Sequence, residues 1–235
     1  MLFFIFKTVF KNLNKHFLLL HLIVFIWGFS PILGRFIKTD AWQLVWFRIL
    51  ITVPPIYLYT LYKKQSLVVG TKQFLQLSGI GIIIMIHWLC FYGAIKVSNV
   101  SVTMVAFSTG TLFSSIIEPV FYKRSIRAYE VIIGLIIIAA IALIFSIETQ
   151  YWLGIILGIL AAFTSSLFGV FNGILTHKIK PSVISFYELS AAFIGLSILF
   201  AFTGNFTAAF FTLSQDSVTG LLLLSLVCTV FPFIT

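Results

Sequence analysis

The sequence predicts an all-α membrane protein, a polytopic helical bundle with inverted five-helix repeats of which the second is truncated. Three observations lead there. Only 9% of the 235 residues are charged while 60% are hydrophobic, whereas a soluble domain carries roughly 25% charged residues to cover its core. Apolar runs of the length that crosses a bilayer, about 20 residues, follow one another with short polar connections between them. Finally, the basic residues collect in alternate connections, as they do in chains threaded back and forth through a membrane.

The apolar runs fall near residues 17–37, 43–61, 74–95, 101–121, 129–147, 151–174 and 182–203, and an eighth begins near Val218. Lys38-Thr39-Asp40, Lys63-Lys64-Gln65, Lys96-Val97-Ser98-Asn99 and Lys123-Arg124-Ser125 connect several of them. Connections this short suit a compact helical bundle. With the N-terminus inside, eleven of the fifteen basic residues face the cytoplasm: Lys7, Lys11, Lys15, Lys63, Lys64, Lys72, Lys123, Arg124, Arg127, Lys178 and Lys180. Only Arg35, Lys38, Arg48 and Lys96 do not. The expected location is therefore the cell membrane, multi-pass, with a cytoplasmic N-terminus. The net charge of +9 belongs to these loop clusters and not to a nucleic-acid-binding face. Cys90 and Cys228 lie inside apolar segments and read as small packing residues.

Residues 1–16 read as an amphipathic cytoplasmic segment, or else as a frayed basic tail. Leu2, Phe6, Val9 and Leu13 recur on one helical face and Lys7, Lys11 and Lys15 on another, the pattern of a helix lying in the headgroup layer. The lysines also interrupt any signal-peptide core.

Five runs precede residue 148, an odd number, so the following set starts from the opposite side of the membrane. The first repeat then covers 17–147, and a partial second one of about three helices covers 151–235. The halves match weakly. Trp27-Gly28-Phe29-Ser30 precedes Trp46-Phe47-Arg48-Ile49 much as Ser165-Ser166-Leu167-Phe168 precedes Phe186-Tyr187-Glu188-Leu189, which makes Arg48 and Glu188 counterparts. Inverted repeats place a substrate site near the midplane where the halves meet, and one half rocks against the other.

Ionisable groups at membrane depth cost roughly 2.5–3.5 kcal/mol each on insertion scales and so face a partner, a cavity or water. Four qualify: Arg48, His87, Glu118 and Glu188. Glu118 ends a ridge of small and polar residues, Ala106, Gly110, Ser114 and Glu118, spaced four apart. Pro119 frees a backbone carbonyl beside it. Glu118 either faces a cavity or pairs with Lys123 or Arg124 as a helix-end anchor. Arg48 either receives a substrate carboxylate through its forked guanidinium or snorkels outward to water. Burial of Glu188 would favour its neutral form and make it a candidate proton carrier. His87, mid-helix, is either a proton relay or a neutral imidazole bonded between helices. A second small ridge, Gly154, Gly158, Ala162 and Ser166, reads as packing. Trp27, beside Gly28 and Ser30, is expected at the cavity, while Trp42, Trp46 and Trp152 suit the outer interfacial belt.

Several local patterns in order carry a resemblance to a known family. They are Trp27-Gly28-Phe29-Ser30-Pro31, Trp46-Phe47-Arg48, Phe91-Tyr92-Gly93-Ala94-Ile95-Lys96, a fourth helix from Ser101 to Glu118-Pro119, and a Gly-containing fifth from Tyr129 to Ile147. Together they resemble EamA-type transporters of the drug/metabolite transporter superfamily. The resemblance is strongest over the first 147 residues and looser beyond. It implies ten helices in two halves, both termini inside, and export or uptake of amino acids, metabolites or drugs without ATP. The chain stops at Thr235, two helices short of that pattern, and reads as a fragment of a ten-helix carrier or else as a truncated product.

The expected function is therefore a secondary transporter of a small organic metabolite acting by alternating access. The alternatives are a non-transporting receptor or scaffold and, behind it, a membrane-embedded enzyme, for which no catalytic or metal-ligand cluster is visible. No cofactor is expected. The expected partners are the lipid bilayer, a small organic solute, a candidate coupling proton and a candidate second copy of the chain, and not nucleic acid. The site residues expected to bind or couple are Glu118, Arg48, Glu188, His87, Trp27 and Ser30.

Overall fold

The computed structural model describes residues 15–147 and 149–234. The expected amphipathic segment lies outside them except for its end, where Lys15 and His16 open the first helix. The described residues form α1 (Lys15–Trp27), α2 (Ser30–Phe36), α3 (Ala41–Tyr62), α4 (Thr71–Val97), α5 (Val100–Phe107), α6 (Gly110–Tyr122), α7 (Ala128–Ile147), α8 (Trp152–Leu175), α9 (Pro181–Thr203), α10 (Gln215–Leu222) and α11 (Phe231–Ile234). A π-helical stretch, Leu223–Val230, joins the last two. No strand occurs among the described residues.

Seven rods among these are long and apolar enough to cross a bilayer: Lys15–Phe36, Ala41–Tyr62, Thr71–Val97, Val100–Tyr122, Thr149–Leu175, Pro181–Thr203 and Gln215–Ile234. Helix α7, apolar over Ala128–Leu143, stands between the fourth and fifth of them. It starts beside Glu118, where Arg124 bridges Glu118 and Glu130, passes Leu112 at Gly134, and reaches Val102 and Ile155 at Ile141. It thus runs the length of α5 and α6 in the opposite direction.

Two rods are broken where the sequence removes or diverts backbone hydrogen bonds. Pro31 stands in the first turn of α2, and a proline nitrogen has no hydrogen to donate back into α1. At the second break the backbone tightens to bonds three residues back, Ser108 N to Val105 O (3.2 Å) and Thr109 N to Ala106 O (3.3 Å), and the hydroxyls of Ser108 and Thr109 donate to the same two carbonyls (2.6 and 2.7 Å). In the π-helical stretch Thr229 Oγ1 likewise donates to Leu224 O (2.9 Å).

Helix α4 is the hub, packed on α8 and α9, while α9 also lies on α3 and both α5 and α6 lie on α8. Small residues allow these approaches. The two ridges read separately in the sequence meet face to face. A Cβ added at Gly158 would stand 2.6 Å from the Ala106 Cβ, and Ser114 Oγ donates to Ser166 Oγ (3.1 Å), which donates to Gly110 O (3.0 Å). At the α4–α9 contact a Cβ at Gly81 would collide with the carbonyl oxygen of Glu188.

The connections sort to two ends. At one, Ser182 Oγ donates to Gln65 Oε1 (2.5 Å) and Tyr187 OH to Leu67 O (2.5 Å), bringing together the connections that hold Lys63, Lys64, Lys178 and Lys180. At the other, Lys38 N donates to Ser217 Oγ (3.0 Å), Lys96 Nζ to Ile37 O (2.5 Å) and Gln43 Nε2 to Phe210 O (2.5 Å).

One aromatic expectation fails. Trp46 does not sit in an interfacial belt: it is 8% exposed, ringed by Phe193, Phe206, Phe210 and Phe211, and its Nε1 donates to Ser197 Oγ (2.9 Å). The cause is the α9–α10 connection, whose 3₁₀ turn Ala208–Phe211 folds back over the indole and buries apolar area that a lipid-facing belt would leave outside. Trp42 and Trp152 remain exposed.

Candidate functional site

Arg48 lies on the buried face of α3 and is 5% exposed. The guanidinium does not snorkel out of the bundle. Its Nε donates to Thr229 Oγ1 (2.9 Å) and its Nη1 to Tyr92 OH (2.6 Å), and its Cζ stands 4.0 Å over the Trp88 ring. Three elements therefore hold one cation: α3 supplies it, α4 supplies an aromatic face and a phenol, and the π-helical stretch supplies a hydroxyl. Both ion pairs among the described residues belong to Arg124, so Arg48 has no carboxylate partner there. A hydroxyl accepts a hydrogen bond without neutralising the charge, and Trp88 contributes only the weaker attraction of its π face.

Other polar groups gather around the same stretch. Trp27 Nε1 donates to Cys228 O (3.1 Å), although the indole is 45% exposed. Ser30 is buried at the start of α2 beside the Cys228 thiol, and its Oγ has no partner at hydrogen-bonding geometry. Ser225 Oγ is buried and unpartnered as well. Trp27 and Ser30 are thus brought to the helix that touches Arg48.

Glu118 takes the anchor arrangement: its Oε2 receives Arg124 Nη2 at 3.1 Å, and the same nitrogen reaches Glu130 Oε2 at 3.1 Å. It also lines a groove of about 510 Å³ between α6 and α8 with Ser114, Ser166 and Tyr122. Another cavity, about 570 Å³, opens at the far end between α3 and α9 and is lined by Asp40, Gln43, Asn205 and Phe210 among others. None of the six expected site residues lines that one.

His87 is buried in the core, with Nδ1 2.8 Å from Ala161 O. A carbonyl can only accept, so Nδ1 carries the proton. Phe91, Phe107 and Phe168 surround the ring. This is an imidazole bonded between helices. Glu188 is 1% exposed, with Asn172 Nδ2 donating to its Oε2 (3.1 Å). The six expected residues therefore occupy several places: Arg48 with Trp27 and Ser30 around the π-helical stretch, His87 and Glu188 separately in the core, and Glu118 at the basic end.

Sequence reasoning missed Tyr92, Trp88, Thr229 and Asn172. Trp88 directly follows His87 in α4, and Tyr92 lies four residues beyond Trp88, about one turn along the same face. Thr229 gives no local signal, because its importance comes from contact with a residue 181 positions away.

Comparison with curated proteins and with solved structures gave no match. The family model described as EamA-like transporter family matches residues 14–146. That interval takes in α1 through nearly all of α7, including Arg48, His87 and Glu118. The chain therefore belongs to the EamA-like transporter family, multi-pass membrane proteins that move small solutes.

Proposed function

We propose that the protein carries a small organic solute bearing a carboxylate or equivalent acceptor across the cell membrane by alternating access, with Arg48 receiving that group. The observation that supports this reading is a buried guanidinium held by neutral groups. An isolated charge in the interior costs several kcal/mol, and here hydroxyls and an indole face fix its direction without offsetting its charge. Nη2 makes no hydrogen bond to a described residue, and the Tyr92 hydroxyl, having accepted from Nη1, keeps its own hydrogen. Two donors are thus free to meet the two oxygens of a carboxylate. Rocking of inverted repeats about this point would expose the site to each side in turn. Glu118, at its groove on the basic end, is the second candidate contact, and the lopsided lysines and arginines support a cytoplasmic N-terminus.

The test is counterflow of labelled amino acids and organic acids in vesicles holding the purified full chain. At least one acid should exchange, its uncharged amide should fail to compete, and Arg48→Ala should cut the rate at least ~10-fold, since truncating one partner of a buried charge pair costs about 2–5 kcal/mol. Arg48→Lys should not restore it, because a lysine lacks the fork. Unaltered exchange in both variants would remove Arg48 from binding. No exchange of any acid offered would favour a receptor or scaffold.

A further inference from the structure

The contact between α8 and α9 contains an acid and an amide in an unusual state of satisfaction. Asn172 Nδ2 donates to Glu188 Oε2 (3.1 Å). The remaining oxygen of each group, Glu188 Oε1 and Asn172 Oδ1, is buried and has no partner. Two acceptor atoms on two side chains already joined by one hydrogen bond cannot satisfy each other while Glu188 is a carboxylate, because neither oxygen has a hydrogen to give. A single proton on Oε1 changes this. The carboxylic acid then donates to Oδ1 while the amide donates to Oε2, and the two planar groups close into a ring with both orphans satisfied.

No neighbour offers an alternative way to hold the charge. The backbone of Gly81 presses against the Glu188 main chain from α4, leaving no room there for a donor side chain. None of the titratable groups on the packed helices hydrogen-bonds to Glu188 among the described residues: Tyr187 OH donates to Leu67 O, His87 Nδ1 to Ala161 O, and Arg48 to Tyr92 and Thr229. The Tyr57 ring of α3 packs at a tilt against Phe186. Asn172 is the only side chain hydrogen-bonded to Glu188 among the described residues. A buried carboxylate served by one neutral amide donor leaves most of its desolvation cost unmet.

We infer that Glu188 and Asn172 form a proton-holding pair, in which Glu188 is a neutral acid that donates to Asn172 and gives up its proton only when α8 and α9 separate enough to admit water. The inference deepens the transport reading by naming where a coupling proton would ride. Its test does not require transport to occur.

Infrared spectra of the purified full chain in lipid nanodiscs at neutral pH should contain the carbonyl stretch of a protonated carboxylic acid. Glu188→Gln should remove it while keeping the fold, since the introduced amide can make both hydrogen bonds to Asn172. Asn172→Ala should leave the band but move it to higher wavenumber, as the carbonyl loses its donor. Absence of the band in the wild-type protein, or its persistence unchanged in Glu188→Gln, would overturn the pair. Should Glu188→Gln fail to fold, the response to Asn172→Ala decides: an unshifted band would refute the contact. A failure of the Arg48 counterflow test would leave these spectra unaffected, so the two readings can fail separately.

Discussion

Arg48 donates to two hydroxyls, and each of those hydroxyls is spent differently. Thr229 Oγ1 accepts from Nε and donates to Leu224 O, so it is saturated within the π-helical stretch. Tyr92 OH accepts from Nη1 and still has its own hydrogen. Thr229→Val and Tyr92→Phe each strand a buried guanidinium donor, which costs about 1–3 kcal/mol. Because both partners grip one rigid planar group, the losses should not add. A double-mutant cycle followed by thermal unfolding in detergent should give a coupling energy of about 0.5–3 kcal/mol; strictly additive losses would mean the two hydroxyls act independently. Glu118→Gln belongs at the opposite extreme. Its partner Arg124 is solvated, and exposed ion pairs contribute little, so the unfolding midpoint should stay within error. Any large change in counterflow by Glu118→Gln would then reflect the groove and not the fold.

At the scale of elements, glycine positions on one helix separate packing from propensity. Gly79 and Gly81 both lie inside α4, yet a Cβ at Gly79 meets nothing while one at Gly81 collides with the Glu188 carbonyl. Backbone atoms cannot swing aside as a side chain can. Gly79→Ala should therefore be neutral or stabilise by up to ~1 kcal/mol, the helix-propensity gain. Gly81→Ala should destabilise by about 1–3 kcal/mol despite the same gain, because it forces α4 and α9 apart. Equal unfolding midpoints for the two variants would refute the close approach. The small ridges of α5–α6 and α8 were legible in the sequence for a related reason: four-residue spacing fixes which residues share a face, and small size states that something comes close. What each ridge faces was not legible, since that depends on which helices become neighbours. The breaks were hidden too. Pro31 and Ser108 change single turns, and an apolar run of about 20 residues has much the same composition whether its ladder is continuous or interrupted. The fate of Arg48 was undecidable from α3 alone, as inward and snorkelling rotamers both suit a residue near a helix end. Trp88, Tyr92 and Thr229 decide it, and they come from elsewhere in the chain.

At the scale of the whole molecule, charge and connectivity agree in a way that neither requires of the other. The connection with Lys63 and Lys64 is hydrogen-bonded to the start of α9 just past Lys178 and Lys180, so helix packing gathers onto one end the loops that the sequence marks as basic. The opposite end, held by Lys38, Lys96 and Gln43, carries the long α9–α10 connection over Trp46. Crossing the membrane with the lysine-rich loops would be unfavourable, because short basic loops are retained in the cytoplasm. Single cysteines placed at exposed positions on the two ends can read the outcome in intact cells, with Cys90 and Cys228 replaced by alanine. Asn205→Cys, in the α9–α10 connection, should react with a membrane-impermeant maleimide added outside. Lys178→Cys, in the α8–α9 connection, should react only after the cells are permeabilised. The reverse pattern would invert the orientation, and equal labelling of both sites from outside would mean that α9, the helix between them, does not span the bilayer. Because the groove at Glu118 lies at the basic end, the same result fixes which side of the membrane that groove faces, and a cytoplasmic assignment would make it the inner mouth of the solute path.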